Sequence, residues 1–141
     1  MAIVEIMVDQ VGPSTSKGIM RNHEVLIDRP EAKGGADRGA MGGELLLAAL
    51  GGCFMSTLLA AIRSRQAPVS EVRIAVAGTL EGTPSRFTAV RMTVAAACDD
   101  KALLEKLVTI SERSCIVANT LKGALPLEIR LESAAVSPAS S

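Results

Sequence analysis

The chain has 141 residues, 48% of them hydrophobic, and its 15 Lys and Arg balance 15 Asp and Glu. That composition predicts a single globular domain over residues 1–141 and excludes a disordered chain. Zero net charge argues against nucleic-acid binding, and two Phe with no Trp or Tyr exclude base-stacking platforms and aromatic ligand cages. Three cysteines and one His form neither a disulfide framework nor a zinc site. We expect no metal and no cofactor, and, because the first residues lack a secretory pattern, a cytoplasmic protein.

The first third of the chain predicts strands, turns and a loop. Residues 3–8 alternate like a strand, 12–18 are rich in turn-forming residues, and 23–28 form a second strand that Pro30 ends. Five glycines follow within residues 34–43. Since their spacing is not that of a phosphate-binding loop, we expect a flexible connector there.

A long apolar helix is predicted over about residues 44–65, because 45–62 carry no charge. Glu44 at its start and Arg63 at its end complement the helix dipole. The uncharged stretch just reaches the length of a membrane span. A helix that is apolar all round also fits the centre of a soluble protein, and we favour that interpretation and expect no membrane. Gly51 and Gly52 would let another backbone approach, so we predict an obligate dimer built around this helix.

The rest of the chain predicts a hairpin, two helices and a last strand. Alternation over 72–80 and 86–97 gives two strands with one buried face each; Val72, Ile74, Val76 and Leu80 form that of the first. Asp99 and Asp100 are expected to cap a helix that ends near 113, and Ser114 a short one that stops at Gly123. A strand over 126–132 precedes a tail, 136–141, that we expect to fray. Strands and helices do not alternate regularly, so the fold class is α+β.

Two segments, each with a cysteine, resemble a known family. They are GGELLLAALGGCF at 42–54 and SCIVANTLKG at 114–123, and GGADRG at 34–39 precedes the first. Together they resemble the signature segments of the OsmC/Ohr superfamily, the osmotically inducible and organic hydroperoxide resistance proteins. The resemblance implies an intertwined homodimer, with two central helices packed between antiparallel sheets and a site at the subunit interface.

The same resemblance implies a redox pair. Cys53 would attack a hydroperoxide, Cys115 would resolve the sulfenic acid to a disulfide, and a dithiol reductant of lipoyl or thioredoxin type would restore both thiols. Only the thiolate attacks oxygen, and at an ordinary pKa only about 3% of a thiol is ionised at pH 7. A buried Cys53 therefore needs a cation. We expect the helix dipole to favour Cys115 as a thiolate. Cys98 is expected only to pack.

The sequence departs from the peroxidase branches at the helper glutamate. That residue lies ten positions before the first cysteine, where this chain has Gly43. Glu44 is one residue later, about 100° around a helix. Glu44 is thus a candidate helper and equally a carboxylate that suits a helix start. Ile116 replaces the proline that usually follows the second cysteine.

The helper arginine also lacks an equivalent position. Gly12 falls near the position of that arginine in the Ohr branch, and Lys33 near its position in the OsmC branch. Arg38 is the first candidate, with Arg29 second and Arg21 behind them. An arginine fits better than Lys33, because its planar fork can engage both an oxygen and a carboxylate.

The function we expect is thiol-dependent reduction of organic hydroperoxides, since Leu, Met and Phe54 should line the pocket around Cys53. The alternative is a dimer that binds an apolar small molecule at its interface with unreactive thiols. A purely structural dimer is a third possibility. A cation beside Cys53 would favour the enzyme.

Overall fold

The computed structural model describes residues 1–132, so the predicted fraying of 136–141 lies outside the described residues. Within that range the chain forms two compact units, Met1–Leu46 and 47–132. The single domain over residues 1–141 stays a prediction.

A three-stranded antiparallel sheet forms the first unit. Its strands β1 (Met7–Gln10), β2 (Ser16–Met20) and β3 (His23–Ile27) pair in chain order. β3 matches the predicted strand, and β1 begins four residues later than predicted. The turn predicted at 12–18 is wrong in its second half, where β2 begins. Its small and polar residues look like a turn, but Gly18 lies buried opposite Val25, where the pairing strand leaves little room for a side chain.

Helix α1 (Gly42–Ser64) confirms the predicted long helix. Four residues on one face, Leu50, Phe54, Leu58 and Ala61, are buried because they recur every three or four positions. A Cβ at Gly51 would lie 2.9 Å from Cγ2 of Val76, so this glycine lets the helix approach the chain's own sheet. By length and composition alone, α1 could also cross a membrane.

A second sheet lies in the unit of residues 47–132. Strands β4 (Ser70–Glu81) and β5 (Arg86–Ala97) form the predicted hairpin, and β6 (Leu127–Leu131) pairs with β5 in parallel. Leu80 was predicted to be buried and is 61% exposed. A register shift between Thr79 and Leu80 explains the difference, because a bulge reverses the alternation of faces.

Two helices connect β5 to β6. Parallel strands such as these need a long crossover connection, which the helices provide. Helix α2 (Lys101–Ser114) is capped by Asp100, whose Oδ1 accepts the N–H of Leu103 at 3.0 Å. Helix α3 (Ile116–Lys122) follows directly. The predicted cap Ser114 is wrong: Ser114 ends α2, and Cys115 caps α3 by accepting the N–H of Ala118 on Sγ at 3.5 Å. The core of this unit joins the buried face of α1 to β5, α2, Cys115 and Ala118.

Candidate functional site

Cys53 and Cys115, 62 positions apart in sequence, come together in the second unit. Cys53 lies at the middle of α1 and is half-buried, whereas Cys115, between α2 and α3, is fully buried. The two thiols are near enough for each to shift the pKa of the other. The fold thus brings together the two cysteines that the sequence singled out.

The surroundings of Cys53 favour its thiolate. Burial raises the pKa of this thiol, but the Val117 N–H, the Cys115 thiol and the Ile116 N–H together lower it below its ordinary value. The N–H groups belong to the first residues of α3, which have no acceptor inside the helix. Backbone dipoles therefore supply some of the thiolate stabilisation that was expected from a cation beside Cys53.

Cys115 shows the opposite behaviour. Burial raises the pKa of this thiol, the Ala118 N–H lowers it, and the neighbouring Cys53 raises it again, so the pKa lies above its ordinary value. The expectation that the helix dipole makes Cys115 a thiolate is wrong. Two adjacent thiols cannot both ionise cheaply, and the less buried Cys53 takes the charge.

Arg38 lies in the first unit, within the glycine-rich segment over residues 34–43. Its backbone N–H donates to Oδ2 of Asp28 at 3.2 Å. Its guanidinium Nη1 lies 3.5 Å from the point where a Cβ at Gly12 would be. The guanidinium therefore lies beside Gly12. By the resemblance, Gly12 falls near the position of the helper arginine in the Ohr branch. Its role at Cys53 stays a prediction.

The glycine-rich segment is not the flexible connector that we expected. A Cβ at Gly35 would collide with the backbone carbonyl of Arg29, and one at Gly39 with that of Leu26. The N–H of Asp37 donates to the Arg29 carbonyl at 3.0 Å. These glycines serve close packing of backbone on backbone, which composition alone does not distinguish from flexibility.

Glu44 stands in the first turn of α1, where its Oε1 accepts the N–H of Met41 at 2.9 Å. This bond is one half of a capping box and accounts for a carboxylate at the helix start. The backbone N–H of Arg29, the second arginine candidate, donates to Asp28 at 2.7 Å. Lys33 places its Nζ 4.0 Å from Sδ of Met41. The catalytic role of Glu44 stays a prediction.

Asp28 is the residue that sequence reasoning missed. Its side chain is 3% exposed, and it follows β3 directly. Burial raises the pKa of this carboxyl, but donors from Thr15, Arg29, Arg38 and Ser14 lower it to about 2. An aspartate at a strand end before proline and glycine was a usable signal, because such side chains accept N–H groups of the following turn.

The third cysteine, Cys98, has a hydrogen-bond partner outside the Cys53–Cys115 pair. Cys98 follows β5, and its thiol donates to the backbone carbonyl of Asp100 at 3.3 Å. Among residues 1–132, no three His, Cys, Asp or Glu side chains cluster as metal ligands would.

Residues 34–130, which include both cysteine segments, match the family model for OsmC-like protein. The chain belongs to the OsmC-like protein family. This confirms the resemblance drawn from the sequence. No curated protein shows significant similarity to the chain.

Solved structures share the fold of this OsmC-like chain. A hypothetical protein from Aquifex aeolicus is 20% identical with a TM-score of 0.79, over 94% of this chain and 96% of its own. A putative osmotic stress induced and detoxification response protein from Psychrobacter arcticus is 16% identical, with the same TM-score, over 94% and 98%. An organic hydroperoxide resistance protein from Elizabethkingia anophelis is 18% identical with a TM-score of 0.71, over 94% and 98%. These likenesses confirm the α+β, OsmC-like fold class.

Proposed function

We propose that this OsmC-like chain reduces organic hydroperoxides with Cys53 and Cys115 as its redox pair. The observation that carries the proposal is the meeting of two thiols whose pKa values move apart, that of Cys53 down and that of Cys115 up. A thiolate beside a protonated thiol is what a nucleophile and its resolving partner require. The likeness to a structure named as an organic hydroperoxide resistance protein supports the choice of substrate class.

The first step forms the sulfenic acid. The Cys53 thiolate attacks one oxygen of the peroxide, so a sulfur–oxygen bond forms as the O–O bond breaks. The leaving alkoxide takes a proton and departs as the alcohol. Cys53 is oxidised by two electrons and the hydroperoxide is reduced by two.

The second step forms the disulfide. The sulfur of Cys115 attacks that of Cys53, the sulfur–oxygen bond breaks, and hydroxide leaves as water with the proton of the Cys115 thiol. Oxidation of Cys53 removes the negative charge that raises the pKa of Cys115. Cys115 therefore becomes the better nucleophile only after the first step. A dithiol of lipoyl or thioredoxin type would then reduce the disulfide and itself be oxidised.

We assign the helper roles to Arg38 and Glu44. Arg38 would stabilise the thiolate and polarise the leaving oxygen, and its guanidinium beside Gly12 supports this choice. Glu44 would orient that arginine with its carboxylate, which already accepts the N–H of Met41. Arg29 is the second candidate for the cation.

The proposal includes a homodimer packed through α1. The face opposite the core exposes small and apolar residues at helical spacing, among them Ala49, Gly52, Ser56, Leu59 and Ala60. A Cβ at Gly52 would meet no atom of residues 1–132 within 4 Å, so the described part of the chain leaves that point open. A second copy of α1 would cover this face and remove its apolar surface from water.

Stopped-flow oxidation of the reduced protein by cumene hydroperoxide tests the proposal. We expect rapid loss of Cys53 thiol, faster than with hydrogen peroxide, and an unchanged rate in Cys98→Ser. Cys53→Ser should abolish the reaction. Slow oxidation, with a Cys53 pKa at its ordinary value, would contradict the peroxidase and favour the dimer that binds an apolar small molecule.

A further inference from the structure

The carboxylate of Asp28 connects two segments that the sequence separates. Its Oδ2 accepts the Thr15 hydroxyl at 2.8 Å and the backbone N–H groups of Ala36 and Arg38 at 3.3 and 3.2 Å, and its Oδ1 accepts the N–H of Arg29 at 2.7 Å. Three of these donors come from the loop over residues 29–38, and the fourth comes from the turn before β2. One buried side chain thus holds the loop and the turn together.

Both the backbone and the guanidinium of Arg38 contact the loop and turn that Asp28 holds together. The Asp28 carboxylate holds its backbone N–H, and its guanidinium reaches back to Gly12. Gly12 lies in the turn that Thr15 ties to Asp28, a turn closed by the Val11 N–H on the Thr15 carbonyl at 3.0 Å. The carboxylate therefore fixes the backbone of Arg38 and also the turn against which its guanidinium lies.

We propose that Asp28 is a positioning residue, whose carboxylate fixes the loop over 29–38 and thereby the place from which Arg38 acts on the reactive thiol. The inference rests on the proposed role of Arg38. In this positioning role, the Asp28 side chain contacts none of the reacting atoms. The ionised form is the one that accepts four donors, and the lowered pKa keeps Asp28 ionised throughout the working pH range.

The experiment measures the pH profile of Cys53 alkylation in Cys98→Ser protein. Asp28→Asn, Arg38→Ala and the double variant are compared, with Asp37→Asn as matched control. Asp37 lies in the same loop next to Arg38, is exposed and has φ +54°, which asparagine tolerates. The control thus removes one negative charge from the loop that Asp28 holds, directly beside Arg38 in sequence, and leaves the Asp28 contacts intact.

Arg38→Ala should move the midpoint upward by about 1–2 pH units, the usual scale of one nearby charge. Asp28→Asn should move it in the same direction, and the double variant no further than Arg38→Ala alone. Amide exchange over 29–38 should quicken in Asp28→Asn and not in Asp37→Asn. A role in stability alone would lower the melting temperature and leave the midpoint unmoved.

The outcomes separate this proposal from the function on which it rests. An unmoved midpoint in Asp28→Asn, with Arg38→Ala shifted, would overturn the positioning role alone. Unmoved midpoints in both would overturn the role of Arg38 and this proposal with it. If Asp28→Asn does not fold, Thr15→Val decides, since it removes one donor and keeps the carboxylate. A smaller upward shift supports the proposal, and none overturns it.

Discussion

At the scale of single residues, the proposed peroxidase chemistry depends on which thiol holds the negative charge. Cys53 and Cys115 share one environment, yet backbone N–H groups from Ile116 and Val117 lower the pKa of Cys53. Full burial and the neighbouring Cys53 raise that of Cys115. Oxidation of Cys53 should therefore precede any reaction of Cys115.

Serine variants should separate the two roles. Cys53→Ser should consume no peroxide, since the attacking atom is lost. Cys115→Ser should complete one turnover and stop, because no partner thiol resolves the sulfenic acid. Mass spectrometry should then find added oxygen on Cys53. Normal turnover of Cys115→Ser with the same dithiol would exclude Cys115 from the mechanism.

The lowered pKa of Asp28 predicts a loss of folding stability in acid. Its pKa is about 2 in the folded chain against an ordinary 3.8. The stabilisation is fully present above the unfolded value and is lost as the pH falls through the folded one. Unfolding by urea should therefore show wild-type stability declining between about pH 4 and pH 2. Asp28→Asn should lack this part of the decline, and parallel curves for the two proteins would contradict it.

At the scale of secondary structure, periodicity predicted most of the chain. The buried stripe of α1, the hairpin of β4 and β5, and the helices α2 and α3 all follow patterns of period 3.6 or 2. β2 was missed because its pairing with β3, rather than its own composition, makes it a strand. Leu80 was misplaced because a bulge is not visible in alternation.

The candidate site was less accessible from sequence than the fold. Both cysteines could be named from their segments, but their pKa directions depend on contacts between α1 and α3 that no spacing reveals. Asp28 was overlooked because its partners Thr15 and Arg38 are distant in sequence and three of its four bonds go to backbone N–H groups. The order of the glycine-rich segment was overlooked for the same reason, because it also depends on contacts with backbone groups elsewhere in the chain.

The cap of α2 allows a direct test at this scale. Asp100→Ala removes the acceptor for the Leu103 N–H and should lower the free energy of unfolding by about 1 kcal/mol. Asp99→Ala is the matched control: Asp99 precedes the cap and is exposed, so its loss should cost clearly less. Urea unfolding measures both, and equal losses would show that the pair caps α2 through charge rather than through this bond.

At the scale of the whole molecule, we predict a dimer through the exposed face of α1. Leu59, 44% exposed, lies on that face. Leu59→Glu would bury a charge in the interface and should give monomers in sedimentation equilibrium. Ala102→Glu adds the same charge at an exposed position of α2 and should leave the dimer intact. A stable folded monomer of the wild-type chain would contradict the dimer.

The redox pairing of Cys53 with Cys115 can be tested directly. The reduced protein is treated with one equivalent of cumene hydroperoxide, and its peptides are mapped by mass spectrometry without reduction. We expect a disulfide between Cys53 and Cys115, with Cys98 still reduced. A disulfide that includes Cys98, or three free thiols with the peroxide unconsumed, would contradict it.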